Sequence, residues 1–242
     1  MTASAARRGR YRMVSGAVVV VLVAVNVTGH LLREPWWVRT VEGAALLVWA
    51  RLEGLTWSEL GLGRDRLRAG CSWALGATAV VAGVYVVGVL LPLTRPAFQD
   101  VRYDLPLSGA LHSAIVVIPL GTVLLEEIAF RSVLWGMLSR HLKQWQVLAA
   151  TSGLFGLWHI LPSLQLGATN RGISDAVGGA GAFVVVAGSV ALTTVGGLVF
   201  GELRRRSGSV VASAGAHWAF NALGVLFGLV AWRLDPQTQQ SG

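Results

Sequence analysis

The stretch Ile118-Pro119-Leu120-Gly121-Thr122-Val123-Leu124-Leu125-Glu126-Glu127-Ile128-Ala129-Phe130-Arg131-Ser132-Val133-Leu134-Trp135 sets three charges in an otherwise greasy run. One charged side chain at bilayer depth costs roughly 2.5–3.5 kcal/mol on insertion scales. Two adjacent glutamates at that depth are hard to explain by packing alone. Farther along the chain, other apolar runs carry His159, His217 and Asn221, which are polar partners at similar depth.

The composition agrees with a membrane setting. Of 242 residues, 54% are hydrophobic and 13% charged, whereas a soluble domain carries about 25% charge. The net charge of +8 raises nucleic acid as a partner. The basic residues, however, sit at the ends of apolar segments, where they read as topology signals, and no nucleic-acid partner is expected. Cys71 is the one cysteine. It excludes an intrachain disulfide and a cysteine-rich metal site, and it reads as a small packing residue.

Seven hydrophobic spans are expected, at about 13–32, 36–51, 70–93, 107–139, 145–163, 176–202 and 209–233. All are long enough for about 30 Å of hydrocarbon except the second, which is marginal. The fold class is therefore all-α, a polytopic transmembrane helical bundle of about seven spans with an intramembrane active site. Arg7, Arg8, Arg10 and Arg12 precede the first run. That run is long for a signal peptide and lacks a small-x-small cleavage site, so it reads as a retained span. The fourth span is overlong, with Pro119 a candidate kink. The sixth opens on Gly178-Gly179-Ala180-Gly181, where helices could approach closely. The ten tryptophans cluster toward span ends, as interfacial belts do.

An N-terminus in the cytoplasm places Arg64, Arg66 and Arg68, then Arg140 and Lys143, then Arg204, Arg205 and Arg206 on the inside. The expectation is thus a multi-pass protein of the cytoplasmic membrane, N-terminus inside. Leu55-Thr56-Trp57-Ser58-Glu59-Leu60-Gly61-Leu62 is too short to span. It reads either as an amphipathic piece at the interface or as a loop with one anchoring tryptophan. The chain divides into N-terminal helices with this interfacial segment (1–104), a helical core (105–233) and a polar tail (234–242).

Helical spacing groups the polar residues. Glu127 and Arg131 are four apart and can form an ion pair. Glu126 points about 100° away around the helix and is left for another task. Phe155 and His159 share a face of the fifth span, and His217 and Asn221 share a face of the seventh. With a rise of about 1.5 Å per residue, His217 lies roughly 13 Å, and Glu126 and His159 roughly 20 Å, from the cytoplasmic ends of their spans. Given helix tilt, the three can meet in one layer. A carboxylate in a partly dry site can act as general base toward water. An amide and a protonated imidazole can donate to an oxyanion. Two histidines and a carboxylate also suit Zn²⁺ with an open position. Both arrangements point to water attacking a carbonyl.

Glu126-Glu127-x-x-x-Arg131, Phe155-x-x-x-His159 and His217-x-x-x-Asn221, in this order on separate apolar spans, resemble the three signature motifs of the CPBP intramembrane proteases. That family includes the type II CAAX prenyl endopeptidases and bacteriocin-processing or immunity proteins. The resemblance covers about residues 105–230. It implies an intramembrane endopeptidase acting on a membrane-associated protein or peptide within the lipid bilayer. Glu126 would activate water, His159 would join it in holding that water or a metal, and His217 and Asn221 would stabilise the oxyanion. Glu127 and Arg131 would support the site as a pair. Members are often named metalloproteases, and His159 and His217 with Glu126 could hold Zn²⁺. The zincin spacing His-Glu-x-x-His is absent, and no further strong ligand accompanies these residues. A metal-independent mechanism is therefore preferred.

Other readings use the same residues. A non-catalytic scaffold or bacteriocin-immunity protein would keep them for structure or partner binding. A proton-coupled transporter would use intramembrane Glu and His as a relay, but no paired repeats of the transporter type are present. A serine protease built on Ser213 near His217 would leave both glutamates unexplained.

Overall fold

Charged and proline positions shape the helices as much as the apolar runs do. The computed structural model describes residues 3–32, 34–164, 166–177 and 181–234. Arg33, Gly178-Gly179-Ala180 and the tail from 235 to 242 lie outside them. Among the described residues the chain is helical with no strand, and one isolated antiparallel bridge joins Asp100 to Asn170. The principal helices are α1 (Ala3–Leu31), α2 (Trp36–Leu52), α3 (Arg64–Leu90), α4 (Leu107–Ser139), α5 (Gln144–Trp158), α6 (Ala182–Ser207) and α7 (Val210–Arg233).

Among the described residues, five helices rather than the expected seven are long and apolar enough to cross a membrane: Gly9–Leu31 within α1, then α3, α4, α6 and α7. The helices α2 and α5 have 17 and 15 residues. At about 1.5 Å per residue they fall short of the hydrocarbon thickness.

The fifth expected span, 145–163, breaks at His159 (φ −86°, ψ 3°). Pro162 accounts for the break: it has no N–H to return to the carbonyl four residues back, and its ring crowds that carbonyl. The orphaned group belongs to Trp158, and the Asn26 amide of α1 donates to it at 2.9 Å. The sixth expected span is shifted too. It runs from Ala182 to Ser207, so Arg204, Arg205 and Arg206 lie in its last turn rather than in a loop. Cations suit the negative end of a helix, and Gly208 (φ +71°) closes it.

Wide π-turns punctuate α4 at Ser113–Val117, Pro119–Val123 and Glu127–Leu134. Pro119 therefore sits in a widened turn that takes up its missing donor. From Leu125 to Leu138 every residue except Ile128 is buried, and the core of the bundle surrounds this stretch. The helices α5 and α6 lie against each other, and α3 lies along the start of α7. The close approach expected at Gly178-Gly179-Ala180-Gly181 lies mostly outside the described residues, but two glycines farther along do bring helices close. A Cβ on Gly156 would strike Thr194, and one on Gly197 would meet Ser152 backbone at 3.0 Å. In contrast, only 11% of the apolar windows of α3 and α6 is buried. Cys71 is exposed on α3 rather than packed inside, because this helix turns most of its surface outward.

The segment 53–63 is a series of turns, not an amphipathic helix. Leu55 and Leu60 plug the core while Trp57 stays exposed. Ser132 Oγ donates to the Leu60 carbonyl at 2.8 Å, and Arg140 Nε donates to Glu59 at 2.9 Å.

Candidate active site

Glu126, Glu127 and Arg131 come from the buried half of α4, His159 from the break after α5, and His217 from α7. Arg131 is completely enclosed. Its Nη1 lies 3.4 Å from Glu127 Oε1, and Nη2 donates to the Gly197 carbonyl at 3.4 Å. The guanidinium sits 4.0 Å from the Phe155 ring centroid and 5.3 Å from that of Phe200. Aromatic faces attract a cation, and more strongly where water is excluded.

Glu127 has a second partner that helical spacing does not reveal. His217 Nδ1 lies 2.9 Å from Glu127 Oε1. An ionised carboxylate only accepts, so Nδ1 is the protonated nitrogen. The His217 ring stacks on Phe200 with centroids 4.9 Å apart. Held from both sides, it turns Nε2 toward Glu126 Oε2, 3.7 Å away. His159 is oriented in the same way. Its Nδ1 lies 2.8 Å from the Phe155 carbonyl, which again only accepts, and its Nε2 faces Glu126 Oε2 at 4.0 Å.

Glu126 is fixed by one oxygen and open at the other. Oε1 accepts from Trp158 Nε1 at 3.1 Å, whereas Oε2 is buried with no hydrogen bond. Two imidazole nitrogens thus converge on an unsatisfied carboxylate oxygen. A water molecule hydrogen-bonds partners about 2.8 Å from its own oxygen, so these separations leave room for one. Four-coordinate Zn²⁺ holds N and O ligands about 2.0–2.2 Å from the ion, which sets neighbouring ligand atoms about 3.4 Å apart. The 3.7 and 4.0 Å separations exceed that, and among the described residues no three His, Cys, Asp or Glu side chains form a metal-holding group.

Asn221 lies one turn beyond His217, in the π-turn Ala219–Leu223. It is half-buried, and its side chain forms no hydrogen bond to the described residues. Ser213 is fully buried, and its hydroxyl donates to the Val210 carbonyl at 3.0 Å. Sequence reasoning passed over Trp158, Phe200 and Asn26. For Asn26 a signal existed: Pro162, four residues after Trp158, marks a carbonyl in need of a donor.

The fold defines a polytopic helical membrane protein with a buried acid–imidazole site. Residues 108–223, which carry all six expected site residues, match the family model described as "Type II CAAX prenyl endopeptidase Rce1-like". The match covers just under half of the chain and supports a kinship of its helical core with the CAAX-type proteases. No curated protein and no solved structure matches the chain.

Proposed function

We propose that this protein is an intramembrane endopeptidase that hydrolyses a peptide bond of a membrane-associated protein or peptide with water activated by Glu126. The observation that carries this reading is the buried, unbonded Oε2 of Glu126, faced by His217 Nε2 at 3.7 Å and His159 Nε2 at 4.0 Å.

In this mechanism a water donates one proton toward Glu126 Oε2 and the other toward His159 Nε2, a lone-pair acceptor because Nδ1 is committed to Phe155. Both acceptors draw on the O–H bonds, and a lone pair of the water oxygen is free to attack the carbonyl carbon. The proton passes to Glu126 and is then delivered to the leaving amine. His217, carrying a proton on each nitrogen, donates through Nε2 to the oxyanion while Glu127 holds Nδ1. In that state the charges of Glu126, Glu127, Arg131 and His217 cancel, which a buried cluster requires. Asn221 supplies a second donor to the oxyanion. Glu127 and Arg131 position His217 and do not touch the substrate.

No step needs Zn²⁺. His159, His217 and Glu126 are the residues that would have to move together to hold it, and it would then polarise the attacking water. The test compares membrane-protein termini in cells expressing the native chain with those in cells expressing Glu126→Gln. New termini that depend on Glu126 are expected. Identical terminal profiles, with the variant folded and inserted, would remove the proposal.

A further inference from the structure

Three helix ends meet around a cavity of about 340 Å³ that Glu126 does not line. Ser139 and Arg140 close α4, Gln144 opens α5, Arg204 and Arg205 close α6, and Glu59 lies opposite. Three arginines against one glutamate leave the lining cationic.

The arginines are not equally matched. Arg140 is paired with Glu59 at 2.9 Å, and Arg205 with Glu202 at 2.7 Å. Arg206 takes the other oxygen of Glu202 at 2.6 Å. Arg204, only 6% exposed, has no carboxylate within ion-pair distance among the described residues. Its Nε donates to the Arg131 carbonyl at 3.1 Å and its Nη2 to the Glu59 carbonyl at 3.0 Å. Carbonyl dipoles solvate a guanidinium but do not neutralise it, and an unneutralised buried cation is costly.

Two other features at this place also lack a negative partner. Ser139 Oγ is buried with no hydrogen bond. Gln144 begins a 15-residue helix; Gln146 caps the Lys143 N–H at 3.0 Å, and the start keeps the positive end of the helix dipole. A buried cation, an orphan hydroxyl and a helix start around one cavity favour an anion with several acceptor oxygens. The cavity stands at the ends of two helices, α4 and α6, that are long and apolar enough to cross a membrane, and the ends of membrane-crossing helices meet the headgroup region. We propose that it binds a phosphate group, supplied by the headgroup of an anionic membrane lipid.

The full chain, purified in detergent and stripped of lipid, is titrated with dioleoyl-phosphatidylglycerol, dioleoyl-phosphatidylcholine or inorganic phosphate while Tm is followed. Phosphatidylglycerol should raise Tm by several degrees through preferential binding to the folded state, with little effect from phosphatidylcholine. Gln144→Glu tests the site without disturbing the core, because Gln144 is exposed and an acidic residue suits a first helical turn. That variant should fold and lose the phosphatidylglycerol shift. Equal shifts from both lipids, or an undiminished shift in Gln144→Glu, would overturn the site. A matching shift from millimolar inorganic phosphate would keep the anion site and overturn the lipid as its source.

Discussion

Glu126 and Glu127 are neighbours in the chain, both buried, and face opposite kinds of surroundings. Around Glu127 two cationic or donor groups crowd one oxygen: Arg131 at 3.4 Å and His217 at 2.9 Å both meet Oε1, and among the described residues no imidazole faces Oε2. Around Glu126 one oxygen is held by Trp158 and the other is left unbonded before two imidazoles. The first arrangement stabilises a charge. The second keeps an acceptor available for a molecule that comes and goes. Each glutamate leaves its Oε2 buried and unbonded, so the difference teaches that neither burial nor an unsatisfied atom assigns a role to a carboxylate, whereas the groups facing that atom do.

The sharpest way to break this contrast is Glu126→Gln. It keeps an oxygen for Trp158 but cannot take a proton, so turnover should fall about 10²–10⁴-fold or more. The thermal midpoint should change little. Near-native turnover by a folded Glu126→Gln protein would put the two glutamates on the same footing.

The Glu127 side should respond through stability instead. Arg131→Ala strands a buried carboxylate and should cost on the order of 3–5 kcal/mol, read as lower expression and a lower denaturation midpoint. An unchanged midpoint would mean that Arg131 serves the substrate instead.

The two histidines sharpen the account of Glu126. His159→Ala and His217→Ala should each cripple turnover, and activity should survive exhaustive chelation. A purified protein with about one equivalent of metal, inactive after chelation and restored by Zn²⁺, would recast Glu126 as a ligand.

Trp158→Phe should have a smaller effect. It removes one hydrogen bond to a charged group, worth about 1.5–3 kcal/mol. About a tenfold or greater loss in kcat with KM nearly unchanged, together with a shifted pH–rate profile, would mark Trp158 as positioning Glu126. A pure stability loss would mark it as packing.

The half-buried pair Glu59–Arg140, away from Glu126, should matter least. Burial alone would push the Glu59 carboxyl up, but hydrogen bonds from Arg140 and Thr56 outweigh it and hold it below the usual carboxylate range. A depressed carboxyl stabilises the fold above its unfolded value, about 4.5, and that stabilisation fades as pH falls further. Glu59→Gln should cost no more than about 1 kcal/mol at neutral pH, and the difference from the native chain should shrink on acidification.

The helical class and the candidate residues were legible because hydrocarbon penalises charge so heavily that Glu126, Glu127, Arg131, His159 and His217 stand out. The ion pair between Glu127 and Arg131 followed from helical spacing. The bond from Glu127 to His217 did not, because it joins positions 90 residues apart. Helix ends were the weakest reading. Hydropathy windows pass over Pro162, which shortened α5, and stop at arginines that α6 carries within its last turn. The π-turns in α4 were also hidden, since a wide turn with i→i+5 bonds leaves no mark in composition.

The hydrogen bond from Asn26 to the Trp158 carbonyl bears on how this protein can be cut or recombined. Residue 104 is a natural place to trim the chain, since the family match begins just after it. A fragment trimmed there would lose the one donor that answers the carbonyl freed by Pro162, next to the residue that carries an imidazole into the site. The N-terminal helix is thus not a detachable anchor but a graft partner that must travel with the segment it serves.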